Sequence, residues 1–396
     1  MSAALERARA AGPGVRWTAA RPEALPALED DGFPRAALRQ HLGQGGGARP
    51  LVVVNDAARV IHCGLPQLLH ELRGWQPQLR VLVATGTHAG DAAHEASRLG
   101  VEVELHACDD AAAHTSVGDY GVDRRLLEAS AVVAFGSVEP HYFAGWTGAH
   151  KTISVGLWDR ATIAHNHEAA TQLAAQPLDA SDHNPVAAGI RAGVRALLAQ
   201  GPPLLTVNHV LDSAGAPLAV GSGDPYAALE AVLPAATARG VHSVAAPVDV
   251  VVAEVEGPLG RSLYQADKGI KNHEAVLADG GLLVLCAELD QGVGQDRFVR
   301  FLEQAPTLEA ARARLSREGY TLGDHKALRW RALEARGVRI VVVSPRLDPE
   351  ALRAAGVRVV PDLAAAFAEA DLRPGARGLV VEDAGFVASR LGRRTR

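Results

Sequence analysis

The sequence predicts an α/β protein of two domains, each with a mostly parallel sheet flanked by helices. Three observations carry this expectation. Short β-branched runs alternate with Ala/Leu/Arg-rich stretches, the order in which parallel strands are joined by helical crossovers. The strand-like runs are continuous in Val and Leu rather than alternating with polar residues, as strands covered on both faces require. The chain has 396 residues, more than a single hydrophobic core usually organises.

In chain order, Gly43–Gly47 reads as a flexible loop; no Lys-Ser pair follows it, so it is not a phosphate loop. Strands are expected at Leu51–Val54, Arg80–Ala84, Ala131–Phe135, Val248–Ala253, Leu282–Leu285 and Arg339–Val343. Helical spacing covers Pro66–Leu72, Asp91–Leu99, Val186–Ala199, Pro225–Ala238, Leu308–Leu315 and Lys326–Ala335. Gly86, Gly136 and Gly257 each stand shortly beyond a strand, where tight turns are expected. A helix ending near Gly240 and a short Ala/Pro connection to the next strand place the domain boundary within Ala235–Pro247, giving domains 1–240 and 241–396. The arginine-rich end, Arg390–Arg396, reads as a solvated terminus.

Composition narrows the class of function. A formal charge of −5 argues against a dedicated nucleic-acid binder. No apolar run approaches the roughly 18 residues of a spanning helix, and residues 1–21 lack the apolar centre of a secretory signal. Three widely spaced cysteines, Cys63, Cys108 and Cys286, suggest a reducing compartment and lack zinc-site spacing. A cytoplasmic protein without membrane or nucleic-acid partners is therefore expected. Histidine, the side chain that titrates near neutrality, occurs 16 times.

In open α/β sheets, ligands sit outside the carboxyl ends of strands. The residues that follow four expected strands carry acid–base and anion-binding groups: Asp56 and Arg59; His88; His141 and Lys151; Tyr264, Gln265 and Lys268. Singly, each has an ordinary structural reading. Asp56 could cap a helix, Arg59 could form a surface ion pair, and Tyr264 could simply pack. A lone histidine at a strand end is usually hydrogen-bonded scaffold, and Lys151 would ordinarily be solvated. Their recurrence at successive strand ends points instead to a site.

The run Gly136-Ser137-Val138-Glu139-Pro140-His141-Tyr142-Phe143-Ala144-Gly145, followed by Lys151 and Asn166-His167, resembles the nickel-dependent lactate racemases. Asn55-Asp56 with Arg59, Gly86-Thr87-His88, and Tyr264-Gln265 with Lys268 extend the likeness, which runs from about Val52 to Lys326. The resemblance implies a nickel-pincer nucleotide, a pyridinium-3,5-bisthiocarboxylic acid mononucleotide joined covalently through Lys151 and lying between the domains. It implies His167 rather than His165 as the protein's nickel ligand, a donor set that suits square-planar Ni(II). It further implies that His88 and His141 act as general bases. Proton-coupled hydride transfer to the cofactor would then invert C2 of a 2-hydroxy acid. Arg59, Tyr264, Gln265 and Lys268 would bind substrate, and Asp56 would orient a histidine or a cofactor group. Cofactor-biosynthesis proteins are implied as partners.

Two departures bear on the substrate. Ala58 and Val60 flank Arg59 where the family commonly has threonine and proline. Thr147-Gly148-Ala149-His150 stands where Ser-Gly-Gly and a basic residue are common. Both point to a 2-hydroxy acid other than lactate. The competing readings are a dinucleotide-dependent 2-hydroxy acid dehydrogenase and a non-enzymatic nickel or nucleotide carrier. The first lacks a Gly-x-Gly-x-x-Gly turn after its first strand, and the second has no need of His88, His141 and Arg59 together.

Overall fold

The computed structural model describes residues 2–20, 24–44, 49–172, 183–368 and 370–392. Gly45–Gly47 of the expected loop and residues 393–396 of the expected terminus lie outside the described residues. Two six-stranded sheets dominate. The first has the order Pro217–Gly223, Leu204–Leu211, Ala131–Ser137, Pro50–Asn55, Arg80–Ala84 and Glu104–Leu105. All its pairings are parallel except that of the edge strand Pro217–Gly223. Every residue of Ala131–Ser137 is buried, as its unbroken apolar sequence requires. One face of the sheet packs on helices Arg160–Glu168 and Pro185–Gln200 and the other on Arg35–Leu42 and Leu65–Trp75, giving two separate apolar clusters.

The second sheet is wholly parallel, in the order Arg16–Ala20, Arg377–Val381, Val248–Glu254, Leu277–Cys286, Arg339–Val343 and Arg358–Val360. Helices Leu263–Lys271, Asp296–Gln304 and Asp324–Ala335 cover one face, and Ala3–Ala11 with Leu363–Ala368 cover the other. The fold is therefore the expected α/β class with mostly parallel sheets flanked by helices. The start of the chain, however, belongs to this sheet and not to the one that follows it in sequence. Trp17 is buried among Val250, Val284 and Val380 and donates from Nε1 to the Gly12 carbonyl at 2.9 Å. The far end also departs from a solvated terminus: Ala388–Leu391 pairs in parallel with Val241–Val244. Arg390 and Leu391 still present their side chains to solvent, which is why composition alone reads as an unstructured tail.

Helix limits follow local chemistry. Asp91 caps Ala92–Leu99 by accepting from the amides of Ala93 and His94, and Asn184 and Asp224 do the same for the next two long helices. Strands Leu204–Leu211 and Pro217–Gly223 were not expected. Leu204–Leu211 buries the polar Thr206, Asn208 and His209, and Pro217–Gly223 is only partly buried, so both lack the continuous apolar signal.

Candidate active site

The loops beyond Pro50–Asn55, Arg80–Ala84 and Ala131–Ser137 converge with helix Leu263–Lys271 of the second sheet's layer on one cavity of about 170 Å³. It is lined by all nine residues singled out from the sequence: Asp56, Arg59, His88, His141, Lys151, His167, Tyr264, Gln265 and Lys268.

The first sheet fixes most of them. After Pro50–Asn55 the chain turns, with the Arg59 amide donating to the Asp56 carbonyl at 3.1 Å. His88 sits in the turn after Arg80–Ala84, its amide bonded to the Thr85 carbonyl. His141 lies in a two-residue strand, Pro140–His141, paired antiparallel with Gly145–Trp146. Lys151 rides on the short helix Ala149–Thr152, pressed against the strand at Gly136, where a Cβ would lie 2.2 Å from the Ala149 nitrogen. The preceding Gly148 has φ of +143°, and a side chain there would meet Asn208 Oδ1, which accepts from the Ala149 amide at 2.7 Å. These glycines are the price of bringing the lysine's backbone so close to the sheet. His167 projects from helix Arg160–Glu168, capped by Asp159. On the other wall, Gln265 and Lys268 are three residues apart on one helix and so share a face.

Hydrogen bonds assign distinct environments to the two candidate bases. His88 Nδ1 lies 2.6 Å from Asp56 Oδ2, so Asp56 orients the ring and leaves Nε2 toward the cavity, 3.5 Å from Gln265 Nε2. Burial would raise the Asp56 carboxyl, but the His88 hydrogen bond and the nearby positive charges of His88, Arg59 and Lys268 hold it below the usual range. His141 has no hydrogen-bond partner on its buried Nδ1 and packs between Tyr142 and Phe143, with ring centroids 5.3 and 4.5 Å away. Burial, then the charges of Lys151, Arg59 and Lys268, push its pKa well below that of a free imidazole. Burial thus favours the neutral imidazole at His141.

Burial and the Arg59 charge likewise push the Lys151 amine well down, toward its nucleophilic form. Lys268 is depressed by burial and by Arg59 and Lys326. His167 is lowered to about 3 by burial and the Lys151 charge. Its Nδ1 lies 3.2 Å from Asn166 Oδ1, while Asn166 donates to the Val186 carbonyl, so the imidazole is held with Nε2 free. His165, two residues earlier, is exposed. Among the described residues, no group of three or more His, Cys, Asp or Glu could hold a metal ion.

Sequence reasoning assigned no role to several residues in or behind the cavity wall. Glu139 accepts from Arg59 Nη1 at 2.9 Å and from Ser137 Oγ at 2.9 Å, orienting the guanidinium. Ser137, Glu139 and His141 alternate along an extended segment, and that period of two was a readable signal. His325 and Lys326 line the cavity itself. His325 joins the walls, its ring nitrogens 3.3 Å from the Tyr142 hydroxyl and 2.7 Å from that of Tyr320. Lys326 bonds the Tyr264 carbonyl and stands 3.9 Å from the Tyr264 ring centre. Tyr264 is thereby held as part of the wall, with its hydroxyl pKa raised by burial. A His-Lys pair beside an expected helix start carries no signal of its own.

Two family models match this chain: the lactate racemase N-terminal domain over residues 37–177 and the lactate racemase C-terminal domain over residues 243–383. The chain belongs to the lactate racemase family. Curated relatives in this family include the lactate racemase of Thermoanaerobacterium thermosaccharolyticum, 28% identical over 281 residues, or 64% of this chain and 63% of that protein. The lactate racemase of Lactiplantibacillus plantarum is 26% identical over 272 residues, or 63% of this chain and 62% of that one. The chain thus spans somewhat under two thirds of the length of these relatives. In fold, it resembles the lactate racemase apoprotein of T. thermosaccharolyticum, with TM-score 0.77 and 20% identity over 93% of this chain and 94% of that one. A Thermotoga maritima protein structure matches with TM-score 0.75 and 16% identity, covering 93% and 100% of the two chains. The racemase-family domain limits leave out residues 1–36, whose helix and strand complete the second sheet.

Proposed function

We propose that this protein is a racemase or epimerase that inverts C2 of a 2-hydroxy acid with a nickel-pincer nucleotide held between two domains. These are residues 1–240 and 241–396, with the first strand lent to the second. The reading rests on one observation: two imidazoles in different environments share a cavity with a buried amine and the cations Arg59 and Lys268.

The residues present fit the cofactor that the family resemblance implies. Lys151 offers a buried amine with depressed basicity, suited to covalent attachment. His167 offers one free imidazole nitrogen, and the absence of any three-residue ligand cluster among the described residues suits a metal that brings its other donors with it. The cavity of about 170 Å³ is smaller than the roughly 300–1,000 Å³ of ordinary ligand sites, so loading requires the walls to separate at the Gln265–His88 and Tyr142–His325 contacts. When bound, the cofactor supplies an acceptor for the substrate's 2-hydrogen with its electron pair.

The chain's own residues do the rest. Arg59, with one nitrogen held by Glu139, and Lys268 bind the substrate carboxylate. His88 Nε2 removes or returns the hydroxyl proton, its Nδ1 proton directed to Asp56; His141, resting neutral, does the same for the other enantiomer. Gln265 and Tyr264 complete the wall on the substrate side. Ala58 and Val60 beside Arg59 favour a 2-hydroxy acid other than lactate. We place the protein in the cytoplasm, served by cofactor-making enzymes. Its three cysteines are unpaired and no helix among the described residues is long and apolar enough to cross a membrane.

Coexpression with the cofactor-making enzymes tests this reading. Intact mass should rise in the parent but not in Lys151→Ala, and nickel retention should fall in His167→Ala but not in His165→Ala. Run in ordinary water, a 2-deuterated substrate should keep its label on racemisation. Loss of label to solvent would replace this mechanism with carbanion chemistry.

A further inference from the structure

A second cavity, of about 980 Å³, lies elsewhere, at the carboxyl ends of the second sheet. Strands Val248–Glu254, Leu277–Cys286 and Arg339–Val343 all end at it. The N-terminal helix closes one side with Ala10 and Ala11, and Leu363 and Ala364 close another. The position is the one a doubly wound sheet reserves for ligands. From Val248–Glu254 the chain progresses strand by strand to one side, and its last large-sheet strand, Arg377–Val381, returns to the other side.

The walls are small and apolar, and the charges at the rim do not balance. Arg7 is paired with Glu254 at 2.8 Å, Arg261 with Asp290 at 2.9 Å and Arg346 with Glu288 at 3.1 Å. Every arginine that lines the cavity therefore already has a carboxylate, while among the described residues Glu256 and Asp362 line it with no arginine, the Asp362 side chain accepting only from the Ala365 amide. Glu254 itself is under-compensated. Its side chain is only 8% exposed, and burial, aided by Glu256 and Glu382, keeps its carboxyl above the usual range despite Arg7. A cationic group would find negative charge within low-dielectric walls, and an anion would find none of the arginines free.

We propose that this second crevice binds a small organic cation carrying an apolar ring, at a site separate from the cavity of His88 and His141. The proposal does not depend on the racemase reading.

Calorimetric titration of the full chain with tryptamine and with indole-3-propionate, which share a ring and differ in charge, tests it. Tryptamine should bind saturably and at least about tenfold more tightly than the acid. Glu256→Lys should abolish that preference; Glu256 makes no side-chain cap bond, so its fold should be kept. Ala10→Trp, on the exposed face of its helix, should fill the crevice and remove binding of both probes. Thermal melting serves as the check that both variants are folded. Lys151→Ala should leave tryptamine binding unchanged. Equal affinity for the two probes, no saturation by tryptamine at millimolar concentration, or binding that survives both crevice variants would overturn the proposal.

Discussion

His88 and His141 line one cavity, yet the protein surrounds them in opposite ways. The His88 side chain is 40% exposed and has a carboxylate at 2.6 Å. His141 is buried between aromatic rings, and the nearest charges are cations. The first ring stands against a carboxylate, whereas burial at the second favours the neutral imidazole. In the proposed mechanism one residue type would fill two posts in a reversible proton transfer, and the fold, not the side chain, sets the surroundings of each.

The sharpest way to break this comparison is to remove either ring. In cofactor-loaded protein, His88→Ala and His141→Ala should each lower racemisation in both directions by about 10²–10⁴-fold, because the proton taken by one must be delivered by the other. Initial rates from each enantiomer decide it, and a variant impaired in one direction only would break the pairing. Asp56→Asn should cost about 10–100-fold by removing a charge-assisted hydrogen bond from His88 alone.

Acid stability sharpens the His141 side. Burial holds His141 well below 6.5 and lowers His209 and His273 to about 3. Below pH 6.5 the unfolded chain binds protons at these rings that the native state refuses. Stability is therefore complete above that pH and falls as pH drops, by up to about 1.4 kcal/mol per pH unit for each ring. Urea midpoints of the unloaded protein between pH 7 and 5 should show the decline, and His141→Gln should make it shallower. The smallest effect is expected from Glu139→Gln. KM should rise about two- to fivefold with kcat little changed, since a partly exposed ion pair orients Arg59 without touching the transferred proton.

Much of this was legible in the sequence, unevenly. The buried central strands announce themselves by Val/Leu runs, and all six expected helices form with ends shifted by a few residues. The short helix that carries Lys151 and the helix Arg160–Glu168 that carries His167 were not anticipated. The first is a single turn held by glycines and Asn208. The second has little amphipathic pattern, with only Ile163 and Asn166 buried. The nine site residues were found because they follow strands or match a motif. Glu139 and His325 escaped because their importance lies in what they touch: an arginine 80 residues away and a tyrosine 183 residues away. The period of two sets Glu139 in line with Ser137 and His141, but neither distant partner leaves a local trace.

The strand Arg16–Ala20 leads to a different matter, the order in which the protein can be made. Thr18 bonds the Gly378 carbonyl across 360 residues. At a synthesis rate of about 5–20 residues per second, the first strand waits roughly 20–70 s for its partner to emerge. Through that interval Trp17 and an unpaired strand edge are open to whatever else is nearby. The second sheet therefore closes last, after the first has had time to fold, and Arg16–Ala20 is among the final pieces to dock.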